Sequence, residues 1–137
     1  MELDTHLSEV LLPNAYKSTI KRILTLLEPV KSDFEGIVCS GLSGAAVAPC
    51  IAAELDKFCI FIRKNTDQSK GGRRIEGAKV NSYILLDDFL ESGKTVLYML
   101  NEMKKAGTKP AVCRYICFYS KYHTLPFDQL YGIRVLR

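Results

Sequence analysis

The chain has 137 residues, a length that suits one domain with one sizeable core. Its 47% hydrophobic and 25% charged residues are ordinary globular composition, and no apolar run reaches the ~20 residues that a membrane span needs. The net charge of +4 suits anionic small molecules and RNA alike, and the acidic residues in the opening "MELDTHLSEVLLP" stand where a secretory leader needs positive charge.

Asn14 to Leu27 has the spacing of an amphipathic helix, with Tyr16, Ile20, Ile23, Leu24 and Leu27 on one face, closed by Pro29 and "KSDFEG". "GIVCS" (Gly36 to Ser40) predicts a short buried strand and "GLSG" a turn. "AAVAPCIAAEL" predicts an alanine-rich helix that starts late or bends at Pro49. "KFCIFIRK" predicts a second buried strand. The polar, glycine-rich stretch Asn65 to Gly77 shows no apolar periodicity. "SYILLDDF" predicts a third strand, and "KTVLYMLNEMKKAG" a helix with Val96, Leu100 and Met103 on one face and Gly107 as its C-cap. "AVCRYICFY" and "LYGIRVL" complete the set as fourth and fifth strands. Buried strands alternating with helices imply an α/β fold: a doubly wound, mainly parallel five-stranded sheet with helices on both faces. The chain reads as one domain, 1–137, with a helical or hood segment at 1–33 and a hood or edge-strand segment at 120–137.

Four of the five cysteines (Cys39, Cys59, Cys113, Cys117) lie in apolar strand-like runs, the fifth is Cys50, and no pair has C-x-x-C spacing. This pattern predicts buried, reduced thiols in a cytoplasmic protein without a zinc site. His6 and His123 have no partner spacing and read as surface residues.

"YILLDDFLESGKT", Tyr83 to Thr95, carries the chemistry. Its Gly-Lys-Thr tail matches the end of a P-loop, but Asp88 occupies the place of that motif's first glycine and would face a triphosphate with negative charge. At a strand-to-helix junction, Ser92 to Thr95 would offer backbone N–H groups and two hydroxyls to a monophosphate, with Gly93 allowing close approach. Asp87 and Asp88 would then stand a few residues away, suited to sugar hydroxyls and to Mg²⁺ held through water. The simpler alternative is a strand that ends in two aspartates, followed by a serine helix cap.

The ordered string of four apolar residues, Asp-Asp, two apolar residues, a polar pair and Gly-x-Thr resembles the phosphoribosyl pyrophosphate (PRPP) signature of the type I phosphoribosyltransferases. The resemblance extends over roughly 34–107. It implies a transferase that moves the 5-phosphoribosyl group of PRPP to a nucleobase, purine or orotate-like, with Mg²⁺ as cofactor, pyrophosphate as product and a homodimer as assembly. By the resemblance Asp87 and Asp88 bind the ribose, and Glu91, Ser92, Gly93, Lys94 and Thr95 hold the 5′-phosphate. Ser40, Gly41, Leu42 and Ser43 stand at the family's pyrophosphate turn, which often contains a non-proline cis peptide. Several relatives carry Lys or Arg where Ser40 stands, a charge that this chain lacks there, and the alternative is an ordinary tight turn.

"FIRK" and the following lysine-rich segment resemble the orotate branch, while "NTDQS" and "ESGKT" lean toward the 6-oxopurine branch. Lys64, Lys70, Arg73 and Arg74 are thereby expected to close over departing pyrophosphate as a mobile lid, the alternative being a solvated basic hairpin. The catalytic set would be Glu91, Asp88, Lys70 and Arg73. Glu91 would accept a proton from the incoming base, and its alternative role is to complement the helix dipole. Leu130 or Tyr131 would contact the base, or else belong to a core strand. A second reading is a regulator that keeps the PRPP site as a sensor and binds RNA or DNA, for which Lys17, Lys21 and Arg22 on one helix supply positive charge.

Overall fold

The computed structural model describes residues 7–64, 74–107, 109–122 and 125–137. Among these, a seven-stranded sheet has the order β3-β2-β1-β4-β5-β7-β6. Its strands are β1 (Gly36–Cys39), β2 (Phe58–Ile62), β3 (Ile75–Glu76), β4 (Ser82–Asp87), β5 (Val112–Phe118), β6 (Gln129–Leu130) and β7 (Ile133–Leu136). The helices are α1 (Ser8–Leu11), α2 (Pro13–Leu27), α3 (Gly41–Ala45), α4 (Ala48–Leu55) and α5 (Lys94–Lys105), with a 3₁₀ segment at Glu28–Asp33. β2, β1, β4, β5 and β7 run parallel, and the two-residue strands β3 and β6 close the edges antiparallel. The five expected strands are therefore present, with two short antiparallel ones added.

Alternation along the strands divides the core into two layers. Ile37 and Cys39 of β1 with Ile84 and Leu86 of β4 face Ile23 and Leu27 of α2 and Ile51 and Leu55 of α4. Val38, Tyr83 and Leu85 face Val96, Met99, Leu100 and Met103 of α5. The apolar stripe of α2 behaves as its spacing predicts: Ile23 and Leu27 are fully buried, with Tyr16, Ile20 and Leu24 packed at their margin. Pro49 lies in the first turn of α4, where the missing N–H has no helical partner to lose, so the alanine-rich helix starts late.

Three elements differ from the sequence expectation. "GLSG" is the start of helix α3 rather than a plain turn, with Gly41 at φ +84°. "LYGIRVL" is two strands joined by Tyr131 and Gly132, at φ +53° and +77°, the pair of positive dihedrals that a two-residue hairpin turn needs. The polar stretch after β2 ends in β3, where Ile75 pairs with Ile62 and packs at the margin of the core. Gly77 follows it so closely that a Cβ there would stand 2.9 Å from the Cys59 carbonyl oxygen. The last part of the expected lid is thus a packed sheet edge, because Ile75 supplies an apolar anchor that periodicity could not register in so short a run.

Candidate functional site

The chain leaves β1 toward β2 on one side and returns through β4 on the other, so the sheet reverses its direction of growth between β1 and β4. Ligand sites in open α/β sheets lie at the carboxyl ends of strands flanking such a reversal. Here those ends carry Ser40–Ser43 and Asp87–Thr95. Both segments line one cavity of about 380 Å³, together with Leu7, Lys64 and Val96. That volume lies in the roughly 300–1,000 Å³ range of small-molecule sites.

Asp87 is buried at the end of β4, and its carboxylate accepts from the Asp88 N–H at 2.9 Å and the Ser43 hydroxyl at 3.4 Å. Burial, and then the neighbouring Asp88 carboxylate, raise its pKa from the ordinary 3.8 to about 7. Asp88 is half-buried and accepts from the Phe89 N–H at 2.8 Å. The acidic pair's backbone is held from β5: Tyr119 N–H donates to the Asp87 carbonyl at 3.1 Å and Ser120 N–H to the Asp88 carbonyl at 2.8 Å. A buried, crowded acidic pair is an environment that a hydroxylated sugar and a hydrated cation would relieve. Among the described residues no three metal-ligating side chains gather, so a divalent ion here would be held by the two aspartates through water and by its ligand.

The loop after the pair turns into α5 through Gly93, whose φ of +80° favours glycine. A Cβ on Gly93 would come within 3.0 Å of the Tyr131 hydroxyl. Glu91, Ser92 and Thr95 are exposed and line the cavity, while Lys94 lies on the outer side of the first turn of α5.

The turn after β1 is neutral and tightly held. The buried Ser40 hydroxyl donates to the Ile62 carbonyl at 2.8 Å, so it serves the junction with β2. Gly44 packs so closely that a Cβ would stand 2.7 Å from the Cys39 Cβ. All described peptide bonds are trans, including Ser40–Gly41. Positive charge reaches this turn from β2's exit instead: the Lys64 Cε lies 3.3 Å from where a Cβ on Gly41 would stand.

The remaining expected residues are placed differently. Arg74 does not line this cavity; its carbonyl accepts from the Arg63 N–H across the β2–β3 edge. Leu130 packs against the core, and Tyr131 leans on the phosphate-type loop from outside the cavity. Lys70 and Arg73, most of the proposed lid, and His6 and His123 lie outside the described residues. Arg22 is not a free surface cation: it pairs with the buried Glu9 carboxylate at 2.7 Å and donates twice to the Tyr119 carbonyl. Leu7 and Tyr119 went unnoticed in the sequence, since both reach the site by long-range packing with no local motif.

No family model matches the chain. It is 29% identical over 98 residues to the transcriptional regulator GfcR of Methanococcoides burtonii, covering 64% of this chain and 47% of that protein. It is 28% identical over 97 residues to an orotate phosphoribosyltransferase of Pyrobaculum islandicum, covering 69% and 49%. The chain thus spans about half the length of the curated relatives it matches. Among solved structures, the orotate phosphoribosyltransferase of Aeropyrum pernix superposes with a TM-score of 0.69 at 12% identity, over 98% of this chain and 76% of its own. The adenine phosphoribosyltransferase of Thermoanaerobacter pseudethanolicus gives 0.56 at 15% identity, over 77% and 67%. By these superpositions the chain, with its mainly parallel sheet, has the fold of the type I phosphoribosyltransferases.

Proposed function

We propose that the protein binds PRPP with Mg²⁺ and transfers its phosphoribosyl group to a nucleobase, releasing pyrophosphate. The observation that carries this reading is the single cavity that gathers a neutral backbone turn, a lysine, an acidic pair and a glycine-gated helix N-terminus. These are the parts that a phosphorylated ribose with a second anionic group demands, in the order in which such a ligand presents them. Asp87 and Asp88 hold the ribose hydroxyls. The N–H groups of 91–95 receive the 5′-phosphate. The turn at 40–43 and Lys64 receive the pyrophosphate.

The reaction would displace pyrophosphate from C1 by a base nitrogen through an oxocarbenium-like transition state. Catalysis then rests on holding the two ends of PRPP apart and stabilising the leaving charge. Mg²⁺, bound through the aspartates' water shell, would supply charge neutralisation on the leaving group. Glu91, exposed on the cavity wall, would accept a proton from the base. A homodimer and a cytoplasmic setting belong to the same proposal.

Similarity to a transcriptional regulator favours a second reading, a PRPP-responsive protein that binds nucleic acid. On α2 only Lys17 and Lys21 of the expected basic trio are exposed, since Arg22 is engaged by Glu9. A panel of orotate, adenine, guanine, hypoxanthine and uracil with PRPP and Mg²⁺, scored by pyrophosphate release, separates the readings. Turnover with one base establishes the transferase. PRPP binding without turnover on any base leaves the sensor.

A further inference from the structure

Tyr119, the residue just after β5, joins the acidic pair to the turn after β1 without lining the cavity. It is 2% exposed. Its N–H donates to the Asp87 carbonyl at 3.1 Å, its carbonyl accepts from Arg22 at 2.6 and 2.9 Å, and its hydroxyl donates to the Ser43 carbonyl at 2.8 Å. The first bond fixes the acidic pair and the last fixes the turn after β1. The middle one is anchored from outside: Arg22 is held by Glu9, whose carboxylate also accepts from the Ser120 hydroxyl at 2.6 Å.

We infer that Tyr119 is a positioning residue whose hydroxyl sets the turn at 40–43 relative to the acidic pair, and so tunes the site for the pyrophosphate end of its ligand and not for the phosphate end. This rests on the PRPP reading above. The physical basis is the short α3: five residues make too few helical bonds to hold an anion-binding turn in place, and the carbonyl of Ser43 needs an outside donor. No other side-chain donor to that carbonyl occurs among the described residues. The phenol remains a donor throughout the working pH range, because burial and the Asp88 and Asp87 carboxylates disfavour its ionisation. Among the described residues no hydrogen bond joins Tyr119 to the loop at 91–95, so the two ends of the ligand should respond separately to its loss.

The test is Tyr119→Phe, which deletes one oxygen and preserves the packing. Binding of Mg²⁺-PRPP, Mg²⁺-pyrophosphate and ribose 5-phosphate is measured by calorimetry on the full chain. The expected result is a roughly fivefold to tenfold loss for PRPP and pyrophosphate with ribose 5-phosphate unchanged, the scale of one net hydrogen bond. Hydrogen exchange in the ligand-free protein gives a second readout: amides at 41–45 should exchange faster in the variant, and those at 91–95 should not. A uniform loss for all three ligands, or no change in any, overturns the inference. If the wild-type protein itself binds neither PRPP nor pyrophosphate, the functional reading fails first and this inference fails with it.

Discussion

The two strand exits that build the cavity are held by opposite means. The exit of β1 is fastened by distant parts of the chain: Ser40 to β2, Gly44 against the Leu86 carbonyl of β4, and the Ser43 carbonyl to Tyr119. The side chains in the exit of β4 are fastened mostly to their own neighbours: Asp87 to the Asp88 N–H, Asp88 to the Phe89 N–H, and Ser92 to the Lys94 N–H at 3.4 Å. A site assembled from one tertiary and one local anchor can lose either half alone. It also follows that a motif search finds the local half readily and the other half poorly.

The largest expected effect comes from the local half. Asp87→Asn with Asp88→Asn keeps the size of both side chains and removes their charge. With each charge-assisted hydrogen bond worth about 1.5–3 kcal/mol, the affinity for Mg²⁺-PRPP should fall at least about a hundredfold. Calorimetry showing unchanged affinity would remove the ribose assignment.

A pair of glycine substitutions sharpens the contrast. Gly44→Ala forces a methyl to within 2.7 Å of the Cys39 Cβ and 3.2 Å of the Leu86 carbonyl oxygen. Overpacking of this kind costs about 1–3 kcal/mol, so urea denaturation should show a stability loss on that scale. Gly93→Ala asks alanine to adopt φ +80° at a buried position and brings its methyl to 3.0 Å from the Tyr131 hydroxyl, at a cost of about 1–2 kcal/mol. Its main consequence should be a roughly tenfold loss of ribose 5-phosphate affinity, because relief of the strain and of the Tyr131 contact shifts the N–H groups of 91–95 away from the phosphate. If Gly44→Ala lowered ribose 5-phosphate affinity as much as Gly93→Ala does, the distinction between a tertiary and a local anchor would not hold.

A pH slope in the ligand-free protein tests the acidic pair without any ligand. Asp87 keeps its proton up to about pH 7 when folded, while an unfolded aspartate releases it near 3.8. The folded state therefore binds more protons between these values. Its stability from this group is complete below the unfolded value and declines as pH rises through about 7. Denaturation series across that window should show the decline, and Asp87→Asn should flatten it. A slope unaffected by the substitution would place its origin in another group.

Much of this protein was determined by local sequence alone. The apolar runs of β1, β2, β4 and β5, the stripe of α2 and the late start of α4 at Pro49 follow from periodicity and from proline's missing N–H, which act within a few residues. The acidic pair and its glycine loop were legible for the same reason, since strand end, carboxylates and helix N-terminus are contiguous. Only the tertiary structure decided the rest. β3 exists because Ile75 finds β2, and two residues are too few to show an alternation. Tyr131 adopts φ +53° because β6 must fold back on β7, a demand that its own side chain does not announce. The Ser40 hydroxyl is committed to Ile62, Lys64 comes to Gly41, and Tyr119 ties Ser43 to Asp87 across 76 and 32 residues of chain. A hydrogen bond between positions so far apart leaves no periodic trace in sequence; it forms only when the sheet has set the strand ends side by side.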